Sequence, residues 1–136
     1  MLCFNAAHAQ STMQQEAAAR AFYNSVAGNW QIASGPTGRP CVYTINAQGY
    51  VNWNRRDDGS DLFLKKGTYT GKLVPLPDNT GYYFDFGFDK RSDKLGVQKV
   101  VFEAGDRMKI TYYKTREALF APQTTPHSGT IGMRMR

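Results

Sequence analysis

Hydrophobic and polar positions change period once along this chain, just before Gly28. Ahead of that point Ala18, Phe22 and Val26 recur every four residues, in a run that also holds Ala17, Ala19 and Ala21. Alanine has the highest intrinsic helix propensity. The spacing predicts one helix over 12–26, with Ser11 or Thr12 placed to cap it. Its apolar stripe is narrow, and so short a helix needs a surface to lie on. We expect that surface to be one end of whatever follows.

From Gly28 onward the period is two, the repeat of a strand with one buried face. Apolar alternation marks strands at 29–34, 41–47, 50–54, 61–65, 67–74, 82–88, 95–102, 107–113 and 130–135. Between them lie turn residues: Ser34-Gly35-Pro36-Thr37-Gly38, Gln48-Gly49, Asp57-Asp58-Gly59-Ser60, 75–81, 89–93 and Ala104-Gly105-Asp106. Gly67 and Gly71 sit at strand spacing and suit the bends of a barrel corner. Residues 114–129, with Pro122 and Pro126, read as a long loop. That gives eight or nine strands joined mainly by hairpins. No helical crossover separates them, which excludes a parallel sheet. Sequential antiparallel strands in this number curl closed, because closure removes exposed edges. The expected fold is all-β: a closed or nearly closed antiparallel up-and-down barrel with a short N-terminal helix. A length of 136 residues suits one such domain, over 10–136.

The first ten residues read as the tail of an export signal. Met1-Leu2-Cys3-Phe4 is apolar, and Ala7-His8-Ala9 fits the small-x-small rule for cleavage before Gln10. Residues 1–9 are then a signal-peptide remnant, and the protein is periplasmic or secreted. Cys3 leaves with the signal, so Cys41 stands alone. A single thiol builds no metal cluster. It is a small core residue, an intermolecular disulfide partner or a reactive thiol. The net charge of +6 permits attraction to an anionic surface. The basic pairs Arg55-Arg56, Lys65-Lys66 and Lys90-Arg91 read most simply as solvated strand ends.

Catalytic chemistry finds little support. A hydrolase needs a nucleophile, a base and an orienting group, yet the histidines are His8 and His127, and no local feature orients either. Asp57, Asp58 and Asp61 have oxygens suited to Ca²⁺, but the same residues form an ordinary hairpin turn. The sequence implies no enzyme, metal or cofactor. The best remaining lead is aromatic. Tyr82, Phe84, Phe86 and Phe88 share one face, with Trp30, Tyr69, Ile110 and Tyr112 as expected neighbours inside the barrel. They either fill a tight core or line an apolar pocket for a small hydrophobic ligand.

Gly28-Asn29-Trp30 after a short helix, with Arg134 or Arg136 on the last strand, resembles the lipocalin-like or calycin superfamily of barrels. The resemblance implies that Trp30, introduced by Gly28, closes one barrel end and that a terminal-strand arginine lies across its ring. Such a cation–π contact is worth about 0.5–2 kcal/mol. It also implies an exported, non-catalytic binding protein for a small apolar ligand or a protein partner. A narrower resemblance joins 27–32 and Cys41-Val42-Tyr43-Thr44-Ile45 to periplasmic inhibitors of secreted bacterial metalloproteases. That family pairs this cysteine with a later one, which this chain lacks. It blocks the protease with a free N-terminal segment, which here corresponds to Gln10–Gln14. Tyr83-Phe84-Asp85-Phe86-Gly87-Phe88 is also similar to an aromatic RNA-binding strand, though Asp85 and Asp89 would repel phosphate.

Overall fold

The computed structural model describes the backbone of residues 2–36, 39–55, 67–86, 97–113, 115–121, 126 and 128–136, with side chains from residue 12 onward except Arg55. Eight strands form one closed antiparallel barrel in simple chain order. They are β1 (Gly28–Ile32), β2 (Cys41–Ile45), β3 (Tyr50–Arg55), β4 (Gly67–Pro75), β5 (Tyr82–Asp85), β6 (Val97–Glu103), β7 (Arg107–Tyr113) and β8 (Ser128–Arg134). Closure comes from β8 pairing back onto β1, with Trp30 opposite Arg134 and Ile32 opposite Gly132. The barrel therefore has no free edge to recruit another strand. The expected strand at 61–65 and the turns at 57–60 and 89–93 lie outside the described residues.

Alternation sets which side chains point inward. Trp30 and Ile32 on β1 are buried, as are Tyr43 and Ile45 on β2 and Val51 and Trp53 on β3. Their neighbours Asn29, Gln31, Val42 and Thr44 face out. On β4 the inward positions are Tyr69, Gly71 and Leu73. A Cβ on Gly71 would lie 2.8 Å from the Phe86 ring and 2.9 Å from the Asp85 carbonyl oxygen. Glycine is needed there for space, where the chain of β5 comes close.

Helix α1 (Leu2–Val26) precedes the barrel. It starts well before residue 12, so Ser11 and Thr12 lie inside it and do not cap it. At 1.5 Å per residue it is about 37 Å long. Among its described side chains, those that meet the barrel lie in its last five residues. Val26 is buried, Phe22 and Tyr23 pack on the core, and residues 12–21, Ala18 included, are exposed. The anticipated stripe is thus confined to its C-terminal end. A second correction concerns the long loop. Residues 116–120 form a short helix, α2 (Arg116–Phe120), whose N-cap Thr115 accepts a hydrogen bond from the Ala118 N–H at 3.0 Å. β8 also begins at Ser128, two residues earlier than the alternation suggested.

Candidate functional site

The helix end of the barrel is built around Trp30. Gly28 makes the switch from helix to strand at φ +137, a conformation that L side chains rarely adopt. The indole Nε1 then donates to the Val26 carbonyl at 2.9 Å, satisfying one of the last acceptors of α1. The Arg134 guanidinium lies 4.8 Å from the indole centroid. Its Nη1 and Nη2 donate to the Ala27 and Ser25 carbonyls at 3.2 and 2.6 Å. A cation at a helix C-terminus is favoured by both the dipole and the orphan carbonyls. Arg134 Nε lies 3.2 Å from Asp106 Oδ1 without a hydrogen-bonding geometry, so that contact is an ion pair. Arg134 is therefore the arginine over the ring. Arg136 is not: it lies beyond β8, is highly exposed, and pairs with the other Asp106 oxygen.

An aromatic layer completes this end. Phe22 stacks on Tyr82 at 4.2 Å, and Phe102 meets both Phe22 and Trp30 edge-on at 5.6 Å. Tyr23 donates to the Leu73 carbonyl at 3.0 Å. The Lys72 ammonium lies 4.8 Å from the Tyr23 ring and 4.5 Å from the Tyr50 ring. Phe22, Tyr23 and Phe102 were missed as site residues. Phe22 carried a signal, since it belongs to the four-residue stripe. Phe102 carried little, because Val100, Val101 and Phe102 are consecutive apolar residues.

The interior shows what the aromatic strand does. The structure brings Trp30, Tyr69, Phe84 and Ile110 together at 0–1% exposure, and Phe86 at 4%. These side chains pack together in the interior of the barrel. Tyr82 and Tyr112 are half-buried at opposite ends, and Phe88 lies outside the described residues. Phe84 and Phe86 point inward and are buried. Outward-pointing Tyr83 is met edge-on by Phe120 of α2 at 5.5 Å, and Asp85 pairs with Arg116 at 2.7 Å.

One polar cluster sits inside, toward the end away from α1. Tyr43, fully buried, donates to Gln98 Oε1 at 2.9 Å. Tyr112 donates to the Ser34 carbonyl at 2.8 Å, and the Ser34 N–H donates to Thr130 Oγ1 at 2.9 Å. Burial raises both tyrosines well above the ordinary range. Cys41 is a free thiol beside them, close enough to Gly35 that a Cβ there would collide with Sγ. Burial pushes the Cys41 thiol up to about 12. At neutral pH it is protonated, and a protonated thiol is a poor nucleophile.

Residues 10–14, which the inhibitor resemblance matches to a free N-terminal segment, lie within α1. No group of three or more His, Cys, Asp or Glu among the described residues could hold a metal ion, and no described helix is long and apolar enough to cross a membrane. No family model, no curated protein and no solved structure matches this chain.

Proposed function

We propose that this chain is an exported, non-catalytic binding protein of lipocalin-like type that engages a protein partner through its outer surface. The observation that carries this reading is the filled interior. A lipocalin-like barrel holds a small ligand inside, and an eight-stranded barrel is just wide enough to be filled by its own side chains. Here Trp30, Tyr43, Tyr69 and Phe84 occupy that space at 0–1% exposure. What remains for recognition is the exterior. Export is supported by the small residues of Ala7-His8-Ala9. The absence of catalysis is supported by a thiol held protonated and by tyrosines engaged in hydrogen bonds.

A native mass spectrum of the protein purified from its source tests this reading. We expect a chain beginning at Gln10 that carries no small molecule. A small apolar molecule bound one to one and released on denaturation would contradict the reading and place recognition inside the barrel.

A further inference from the structure

We propose that the outer face of β8, with its neighbours on β1, β2 and β7, docks an acidic protein segment that carries apolar side chains. The proposal rests on the reading of the chain as a protein binder. Ile131 and Met133 share the outward side of this strand, and Met135, just past its end, continues the two-residue spacing with its N–H donating to the Asn29 carbonyl at 2.8 Å. Register extends the patch sideways. Met133 faces Gln31 on β1 and Arg107 on β7, and Gln31 in turn faces Val42 on β2. Ile131 faces Lys109. Val42, Met133 and Met135 are 37%, 46% and 48% exposed. Single exposed apolar residues are ordinary, but a contiguous set rimmed by polar groups is what a binding surface presents. Methionine suits such a surface because its flexible thioether adapts to varied partners.

The rim fixes the sign of the partner. Arg107, Lys109 and Arg136 border the patch. Nearby carboxylates are already engaged: Glu103 lies 3.4 Å from Arg107, and Asp106 is shared by Arg134 and Arg136. Among the described residues Lys109 has no carboxylate within ion-pair distance. An acidic partner would supply the carboxylate that Lys109 lacks while its apolar side chains cover the methionines. A second copy would bring the same cations and the same net charge of +6, and be repelled. A closed barrel has no edge for strand addition, so the partner lies across the face. The patch carries no tryptophan, phenylalanine or leucine of the kind that anchors a protein in a lipid interface, and no ring on which a base could stack.

The test uses the full chain with ¹³C-methyl methionines and a random dodecapeptide phage library selected on it. Enriched peptides should be net negative and contain apolar residues. As synthetic peptides they should shift the Met133 and Met135 methyl signals and leave buried Met108 unmoved. Lys109→Glu and Met133→Asp, both on the surface and expected to keep the parent melting temperature, should each weaken binding at least tenfold. Phosphatidylglycerol vesicles and an oligothymidine should leave Met133 unshifted. Enriched peptides that lack acidic residues, or that bind both variants as tightly as the parent, overturn the face and leave the protein-binding reading standing. If no peptide is enriched, and vesicles or oligothymidine shift Met133, both fall.

Discussion

Replacing Trp30 by alanine is expected to destabilise the protein by about 3–5 kcal/mol. The indole is 1% exposed, so its removal opens a cavity at the floor of the barrel that neighbouring strands, fixed in a closed ladder, cannot collapse to fill. Three further contacts go with it. The Val26 carbonyl loses its donor, Phe102 loses an edge-on partner at 5.6 Å, and Arg134 loses the ring beneath its guanidinium. Domains of this size are stable by about 5–15 kcal/mol in total. The variant should therefore unfold tens of degrees below the parent, or fail to fold at 37 °C. Trp30→Phe keeps much of the volume but not the N–H, and should fall between the two. Urea denaturation followed by circular dichroism reads all three proteins. A Trp30→Ala midpoint close to the parent would show that the indole does not close the barrel.

The second large effect separates two arginines that lie two residues apart. Arg134→Ala should cost about 2–3 kcal/mol, because it removes charge-assisted hydrogen bonds to two carbonyls at the end of α1 and the cation over Trp30. It also leaves Asp106 with less of its positive partner. Arg136→Ala should change stability by less than about 0.5 kcal/mol, since its guanidinium is solvated and exposed ion pairs contribute little. Equal costs in the same denaturation experiment would mean that Arg134 holds neither the helix nor the ring. The contrast also isolates α1: loss of Arg134 should fray the helix C-terminus, so the far-ultraviolet helical signal should melt earlier than the sheet.

Much of this architecture was legible in the chain, and the illegible parts have identifiable causes. Inward positions such as Tyr43, Ile45, Val51 and Trp53 follow from strict alternation. Gly28-Asn29-Trp30 marked the start of the barrel, because only glycine makes the φ +137 step from helix to strand without strain. Arg134 and Arg136 share one parity of a two-residue repeat, so the sequence left both open. Only the register, which sets Arg134 opposite Trp30 and ends the strand there, distinguishes them. A filled core and an apolar pocket demand the same inward pattern. What decides between them is the summed volume of Trp30, Tyr43, Trp53, Tyr69 and Phe84 in a barrel of fixed girth, which no local pattern reports. Gln98 broke its own pattern. It is a polar residue at an inward position, tolerated because the Tyr43 hydroxyl donates to it. The short helix after Thr115 carried a readable signal, a capping threonine followed by Arg-Glu-Ala-Leu, that the neighbouring prolines concealed. Alternation aligns Met133 with Met135, but only the register of the neighbouring strands brings Val42, Arg107 and Lys109 beside them.

Hydrogen exchange at the Trp30 indole N–H tests the closed barrel most directly. That proton is buried, bonded to Val26 and covered by Arg134. It should exchange only when the whole domain unfolds, at the same opening free energy as the slowest strand amides. Loss within seconds to minutes, while the amides of β1 and β8 stay protected, would show a stave ring open at its base and contradict the account.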